Sequence, residues 1–151
     1  MPDTSPDVIF SKFVISAVLH NAAVADRLGL QGVDVAALVL LEVGGPLPVG
    51  ALAEELGLPS ASATRLVDRL ERAGYARRVR GARDRRTVTV ELAEGGMDEY
   101  RTASESVTRR LYEVGAHYPP EQAPIMLDML ARVTGAYRSA TEELRRSDAG
   151  Q

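Results

Sequence analysis

The chain has 151 residues, of which 45% are hydrophobic, 26% are charged and 5% are aromatic. This is the balance of an ordinary globular protein, and a core without tryptophan must rely on leucine, valine and alanine, which favours helices. The chain contains no cysteine, which excludes disulfides and thiolate metal sites and fits a reducing cytosol. Because we find no unbroken run of about 18 apolar residues and no secretory signal pattern, we expect a cytoplasmic protein without a membrane partner.

The net charge of −3 conceals a strongly basic segment. Residues 60 to 86 include nine arginines and three acidic residues, a local net charge of +6, whereas the rest of the chain has a net charge of −9. The densest part is "RRVRGARDRR", residues 77–86, with six arginines around one glycine and one aspartate. A clustered basic segment is typical of phosphate binding, so nucleic acid is the first partner to consider.

Apolar residues recur at helical spacing from the N-terminus onward. They predict a first helix over residues 6–28 and a second over residues 35–43, with Asp34 as the N-cap of the second. Pro48 then precedes a short third helix over residues 49–56. The breaks between these helices are rich in glycine and proline, which end helices.

The basic segment spans a further helix and two strands. The helix is predicted from Ser60, as its N-cap, to Ala73, with Gly74 in the left-handed position that ends it. Strands are predicted over residues 75–79 and residues 87–92, the second from the strict alternation in "TVTVEL". Together the strands form a hairpin whose loop is rich in arginine.

Two long helices are predicted after the hairpin, over residues 94–115 and residues 121–146, separated by "HYPPEQAP". The expected fold class is therefore mainly α with a small β-hairpin wing: a winged helix-turn-helix with helices on either side of it.

The helix over residues 49–56, the "LGLP" turn and the helix from Ser60 form the helix-turn-helix. The second helix of such a motif enters the major groove of DNA, where Arg65 can bind a guanine bidentately and Arg69 meets a phosphate. A hairpin loop is slim enough for the minor groove, where an inserted arginine reads the negative potential. The predicted DNA-contacting residues are Ser60, Ser62, Thr64, Arg65, Arg69, Arg83, Arg85 and Arg86.

Two residues of the hairpin loop are expected to shape the loop and not to bind DNA. Gly81 lets the backbone turn without steric cost. Asp84 is an acid among six arginines and would repel phosphate, so we expect it to pair with a neighbouring arginine.

Residues 49–96, "VGALAEELGLPSASATRLVDRLERAGYARRVRGARDRRTVTVELAEGG", resemble the winged helix-turn-helix of the MarR family of bacterial transcription regulators. "LAEELGLPSASATRLVDRLERAGY" matches the helix-turn-helix of the family, and "RDRRTVTVEL" matches its wing signature, an Asp-x-Arg followed by a strand. By this resemblance Asp84 is the structural acid of the wing and Arg86 enters the minor groove. One helix before the segment and two after it also match the family.

The resemblance implies a homodimer whose first and last helices interdigitate. It assigns residues 1–32 and 94–151 to a helical dimerisation region and residues 33–93 to the winged helix-turn-helix DNA-binding domain. Many members of the family are repressors that are released by small, often phenolic, anionic ligands. The expected partners are thus double-stranded DNA with a pseudo-palindromic operator, a second copy of the chain, and a small aromatic or anionic effector.

Two positions depart from the usual family pattern. Pro48 stands where Thr or Ser usually opens the short helix, and Ala93 replaces the Thr that caps the helix after the wing. Each change weakens a helix cap by about 1 kcal/mol. Neither is expected to alter DNA contacts.

Other functions find little support in the sequence. His20, near the apolar stripe of the first helix, is either a lining residue of an effector pocket or a structural histidine. Two distant histidines without thiols give no basis for a metal site, and no motif of an enzyme or cofactor occurs, so we expect neither. The alternative to a DNA-binding regulator is a winged module for dimerisation or protein contact that does not bind specific DNA.

Overall fold

The computed structural model describes residues 5–80 and 88–149 of the chain. Its elements in chain order are α1 (Pro6–Leu28), α2 (Gly32–Gly44), β1 (Leu47–Pro48), α3 (Val49–Leu56), α4 (Ser60–Arg72), β2 (Ala76–Arg80), β3 (Val88–Leu92), α5 (Asp98–Ala116), a 3-10 turn (Pro120–Gln122) and α6 (Ala123–Ala149). The expected fold class is confirmed, since the described residues are mainly helical with one small antiparallel sheet.

The chain divides into two compact units, Met1–Glu105 and Ser106–Gln151. The boundary falls within α5, so that α1 and the start of α5 belong to the same unit as the helix-turn-helix. This division reflects contacts within one chain. The expected partition into a dimerisation region and a DNA-binding domain concerns contacts between two chains and stays a prediction.

The core of the first unit is built from one stripe of each surrounding element. α4 shows why: its apolar residues recur every three or four positions, and this stripe is wholly buried as expected. Each fully buried leucine contributes about 1.5–3 kcal/mol relative to an exposed one. The largest fully buried apolar side chains are Leu38, Leu52, Leu66, Leu70, Val35, Val67 and Val90.

α2 begins three residues earlier than expected, and Asp34 is not its N-cap. The N-cap is Gln31, and Asp34 lies in the first turn of the helix. Its carboxylate Oδ2 accepts a hydrogen bond from the backbone N–H of Gln31 at 3.1 Å. The aspartate thus still satisfies an end of the helix, but from inside it, where its side chain is buried.

The cap expected at Ser60 is also wrong. The N-cap of α4 is Pro59, and Ser60 is the first helical residue, with no side-chain hydrogen bond capping the helix. Pro48 is likewise the N-cap of α3 and provides no side-chain cap, as its position in the sequence predicts. Proline suits these positions because its fixed φ matches the extended N-cap backbone.

The sheet has the strand order β1-β3-β2, with both neighbouring pairs antiparallel. β2 and β3 confirm the stem of the expected hairpin, whereas β1, with two residues, is too short to show alternation and was not expected. β2 is an edge strand, so one side of its backbone faces away from the sheet. Five residues of the hairpin loop to which we assign roles lie outside the described residues: Gly81, Arg83, Asp84, Arg85 and Arg86.

Two glycines are required by the junctions around the sheet. Gly74 ends α4 with a φ of +80°, as expected of a left-handed residue at that point. A Cβ on Gly96 would lie 2.3 Å from the backbone oxygen of Tyr75, so only glycine fits there. This close approach comes before α5, which begins at Asp98 and not at the expected residue 94.

α1 has the expected bounds, but several of its large apolar side chains are exposed, including Phe13 at 54% and Val18 at 62%. Among the described residues, α1 is the one helix that is long enough and apolar enough to cross a membrane, judged by its length and composition alone. No unbroken run of about 18 apolar residues occurs in α1, as expected, but the lack of such a run does not by itself exclude a helix of this hydropathy. Lys12 and His20 break the run of apolar residues, but they leave a mean hydropathy of 1.7 over the window.

The second unit contains the end of α5 and all of α6, and its apolar side chains are largely uncovered. No described side chain of α6 is buried. An apolar groove of about 810 Å³ runs between the two helices, with Leu111, Tyr112, Leu127 and Leu130 among its lining residues. Helices of this composition need a further surface to cover them.

Candidate nucleic-acid interface

α3 and α4 form the helix-turn-helix that the sequence predicts. Gly57, with a φ of +61°, ends α3, and the N–H of Leu58 donates to the carbonyl of Ala53 at 2.8 Å. Pro59 follows at once and opens α4. The tight turn fixes the direction in which α4 leaves α3.

The N-terminal patch of α4, which we define as Ser60, Ser62, Thr64 and Arg65, brings together four predicted DNA contacts. Ser60, Thr64 and Arg65 are exposed and Ser62 is half-buried. The hydroxyl of Thr64 donates to the carbonyl of Ser60 at 3.0 Å, and Nη2 of Arg65 donates to Oγ of Ser62 at 3.1 Å. The patch therefore presents hydroxyls and one guanidinium to solvent.

Arg69, predicted to meet a phosphate, is bound to a buried carboxylate. Its Nη2 lies 2.6 Å from Oδ1 of Asp34 and its Nε lies 3.2 Å from Oδ2 of the same residue. The Asp34 side chain is 1% exposed and that of Arg69 is 32% exposed. The hydrogen bond with Asp34 raises the pKa of Arg69 above its ordinary value. This contact gives Arg69 a structural role that the sequence did not predict.

Two more arginines of the basic segment are paired with carboxylates. Nη2 of Arg77 lies 2.7 Å from Oε1 of Glu91, directly opposite on β3, and so this pair closes within the hairpin stem. Arg78 pairs with Asp68 and Glu71, both on α4. The arginines without a carboxylate partner among the described residues of this segment are Arg65, Arg72 and Arg80. Less of the positive charge is therefore free to meet phosphate than the sequence suggests.

The sequence predicted neither the structural role of Arg78 nor the carboxylate partners in these pairs, namely Asp34, Asp68, Glu71 and Glu91. One signal was available: successive residues of a strand point to opposite faces, so Arg77 and Arg78 must have different neighbours. No pattern in the sequence connects Arg69 with Asp34, which lies 35 residues away.

Tyr75 joins three parts of the first unit next to the end of α4. Its hydroxyl lies 2.9 Å from Oε2 of Glu99 on α5 and 3.4 Å from the carbonyl of Leu28 at the end of α1. Burial, together with the hydrogen bond to Glu99, raises the pKa of Tyr75 to about 12. The side chain is 7% exposed, so the neutral phenol is held between the helices.

The remaining predicted site residue, His20, is half-buried in α1. Its Nε2 is buried and has no hydrogen-bond partner in the part of the chain that the structure describes. A search of the described residues for three or more His, Cys, Asp or Glu side chains that could hold a metal ion finds none. The role of His20 in binding an effector stays a prediction.

The chain is similar to known regulators of transcription over most of its length. A family model described as the MarR family matches residues 28–87. Two relatives from Bacillus subtilis (strain 168) are uncharacterized HTH-type transcriptional regulators. YfiV is 29% identical over 136 residues, covering 90% of this chain and 85% of the relative. YcgE is 27% identical over 137 residues, covering 91% of this chain and 89% of the relative.

Solved structures of similar fold include a MarR family protein from Bacillus stearothermophilus, with a TM-score of 0.68, 23% identity, and coverage of 87% of this chain and 92% of that one. NadR in complex with 4-hydroxyphenylacetate gives a TM-score of 0.65 at 21% identity, over 88% of this chain and 94% of that one. A mutant of S. aureus MepR bound to an oligodeoxyribonucleotide gives a TM-score of 0.62 at 14% identity, over 89% of this chain and 99% of that one. At these identities the likeness concerns the fold.

Proposed function

Because residues 28–87 match the MarR family model and two relatives named as transcriptional regulators match most of the chain, we propose that this protein is a regulator of the MarR family that acts as a homodimer on a pseudo-palindromic operator. In this proposal α4 of each subunit lies in the major groove and the loop between β2 and β3 enters the minor groove. The two recognition helices are then about 34 Å apart, one helical turn of DNA. As a transcriptional regulator, the chain would read DNA in this way.

The observation that carries the proposal is the N-terminal patch of α4. The patch is exposed and polar, Arg65 has no carboxylate partner among the described residues, and the opposite stripe of the helix is wholly buried. Since Arg69 is occupied by Asp34, we leave it out of the proposed contacts. The proposed contacts in the major groove are Ser60, Ser62, Thr64 and Arg65. In the hairpin loop the family signature supports Arg86 as the minor-groove contact and Asp84 as the structural acid. The flanking Arg83 and Arg85 would attract phosphates, and Gly81 would let the loop turn.

Dimerisation is supported by where the exposed apolar side chains lie. Of the eighteen large apolar side chains that the described residues expose, sixteen lie in α1, α5, α6 or the link between α5 and α6. A second copy of the chain would cover these helices, as in isologous dimers generally. We therefore assign residues 1–32 and 94–151 to dimerisation and residues 33–93 to DNA binding, and we place the apolar face of α1 against the partner subunit of a cytoplasmic protein and not in a lipid bilayer.

We further propose that a small aromatic or anionic effector releases the protein from its operator, which would make it a ligand-responsive repressor. The NadR complex with 4-hydroxyphenylacetate shows that a protein of this fold holds such a ligand. In this chain His20 offers a buried Nε2 without a partner among the described residues. The effector must bind the DNA-free form more tightly than the DNA-bound form, and so operator affinity must fall when it is added.

The test begins with selection of bound duplexes from random DNA, followed by fluorescence anisotropy with the selected operator. Arg65→Ala is expected to weaken binding by about 1–3 kcal/mol, because a bidentate contact to guanine is lost. Arg86→Ala is expected to weaken it by more than about tenfold, since one arginine leaves the minor groove. Wild-type affinity should fall steeply as salt rises, because bound phosphates release counterions.

Arg101→Ala is the matched control, since Arg101 is exposed on α5, pairs with Glu42 at 2.6 Å and is not among the proposed DNA contacts. It removes the same charge and should leave operator affinity nearly unchanged. Binding by Arg65→Ala that equals wild type, or affinity that ignores salt, would favour the alternative of a winged module for protein contact.

A further inference from the structure

Arg78 lies on β2, but its side chain belongs to the surface of α4. Its Nη1 lies 2.8 Å from Oδ1 of Asp68 and also donates to Oε2 of Glu71. Its backbone N–H donates to Oε1 of the same Glu71 at 2.7 Å. Glu71 therefore holds both the side chain and the backbone of one strand residue.

These contacts follow one stripe of the recognition helix. Asp68 and Glu71 are three residues apart on α4, and the carbonyl of Thr64, 3.5 Å from Nη2 of Arg78, is one turn before Asp68. Thr64 itself belongs to the N-terminal patch of α4. The stripe that faces β2 thus begins within the proposed DNA-contacting residues.

The geometry of the sheet makes these contacts a polar connection between the hairpin and α4, in addition to the apolar core that Ala76 and Val90 share with α4. β2 is the edge strand, and the backbone N–H of Arg78 faces away from β3 toward Glu71. The neighbouring Arg77 points to the other side and pairs with Glu91 inside the hairpin. Among the described residues of β2, the ion pairs that reach α4 are those of Arg78.

We propose that Arg78 is a positioning residue for DNA binding, which fixes the hairpin to the recognition helix through Asp68 and Glu71 and does not itself contact DNA. This inference rests on the proposed function, in which α4 and the hairpin loop bind adjacent grooves of one duplex. Asp68 and Glu71 are 46% and 31% exposed, so the three side chains form a partly hydrated clamp at the surface. Without the clamp, the hairpin and α4 can change their relative angle, and the two contacts no longer fit one duplex together.

The proposal makes a prediction of unusual sign for the variant Asp68→Ala/Glu71→Ala. Removing two carboxylates beside a DNA-binding surface should tighten binding if charge alone matters. The clamp predicts the opposite, a loss of about tenfold in affinity for the selected operator, because Arg78 then has no carboxylate on α4 to bind. Arg78→Ala should lower operator affinity by a similar factor. The variant that combines all three substitutions should lower it no further than Arg78→Ala does, since the three side chains act as one unit.

Arg77→Ala is the matched control: it removes the same charge from the same strand but leaves the contacts to α4 intact. Affinities are measured by anisotropy with a labelled operator duplex and with a scrambled duplex, and the folded fraction is checked by circular dichroism at the assay temperature. A role in folding alone would lower both affinities by the same factor, whereas lost positioning lowers operator affinity selectively. Alanine is a good helix former, so Asp68→Ala/Glu71→Ala remains informative if Arg78→Ala is poorly folded.

Operator binding by Asp68→Ala/Glu71→Ala that equals or exceeds that of wild type would overturn the proposal, as would a loss in Arg77→Ala equal to that in Arg78→Ala. Failure of the proposed function looks different: wild type would then select no duplex, or Arg65→Ala would bind as wild type does.

Discussion

At the level of single residues, the arginines of the basic segment differ in what their guanidinium groups contact. Among the described residues, Arg65 has the hydroxyl of Ser62 as its side-chain partner, whereas Arg69, one turn further along α4, binds the buried carboxylate of Asp34. A buried carboxylate without its partner is costly, because water no longer solvates it and little else replaces water. Arg69 therefore stabilises the fold, whereas Arg65 is available for binding.

Arg69→Met should lower the free energy of unfolding by about 2 kcal/mol, somewhat less than the loss of a fully buried partner because Arg69 is partly exposed. Asp34→Asn should cost less, since the released Arg69 can turn to solvent. The double variant should lose less free energy of unfolding than the sum of the two single losses, because it contains no buried carboxylate that lacks its arginine. Urea unfolding monitored by circular dichroism measures all three.

The matched control is Arg65→Met, on the same helix but without a carboxylate partner among the described residues. Its free energy of unfolding should stay within about 0.5 kcal/mol of wild type. Equal losses in Arg65→Met and Arg69→Met would show that the pair with Asp34 contributes nothing specific.

At the level of elements, the end of α4 is connected to α1 and α5 through one side chain. The hydroxyl of Tyr75 contacts the carbonyl of Leu28 and the carboxylate of Glu99. The backbone N–H of Tyr75 donates to the carbonyl of Leu70, in the last turn of α4, at 2.9 Å. Gly96 lets the start of α5 approach the backbone of the same residue. A movement of α1 or α5 would thus be transmitted through Tyr75 to the C-terminal end of the recognition helix.

The pKa of Tyr75 gives this junction a measurable signature. The value rises from 10.0 to about 12 in the folded chain, so both folded and unfolded chains keep the proton below pH 10. Between pH 10 and 12 the unfolded chain loses the proton and the folded chain keeps it, so the free energy of unfolding must fall as pH rises. The fall attributable to this group is about 2–3 kcal/mol across that window.

Urea unfolding at pH 9 to 11.5 compares wild type with Tyr75→Phe, in which this part of the fall should be absent. Tyr112→Phe, at a side chain that is 77% exposed, is the control and should follow wild type. The assignment fails if Tyr75→Phe and Tyr112→Phe show the same dependence on pH.

At the level of the whole molecule, the folded chain leaves its longest helix uncovered. α6 has 27 residues, and no described side chain in it is buried. Ile125 and Met129, 72% and 58% exposed, lie one turn apart on this helix and do not line the groove against α5. Side chains of this kind gain burial only from another molecule, and a second copy of the chain is the partner that we propose.

Ile125→Glu/Met129→Glu should therefore convert a dimer into a monomer, because two charges would have to lose their water at the interface. Sedimentation velocity measures the mass, and circular dichroism should show that the helices persist, since both side chains are exposed in the single chain. Ser139→Glu, which adds charge at an exposed polar position of α6, is the control. A variant that sediments as wild type does would remove α6 from the proposed interface.

The sequence by itself determined the local structure of this protein. Gly74 ends α4 where expected, and Gly29 and Gly57 follow the predicted last residues of α1 and α3, because a left-handed glycine after a helical stripe can be recognised from its neighbours alone. The bounds of α1 and α3, the buried stripe of α4 and the hairpin stem were predictable for the same reason. The basic segment, and with it the class of partner, follows from composition over a short stretch of chain.

Only the tertiary structure decided which of the charged residues are free to bind. Asp34 was expected to cap a helix from outside and instead lies within its first turn, where its buried carboxylate binds Arg69 of α4. Arg77 and Arg78 are neighbours in sequence, yet one pairs within the hairpin and the other with α4, because a strand sends them to opposite sides. An ion pair depends on the distance between two atoms in space, and a sequence fixes that distance only through the fold.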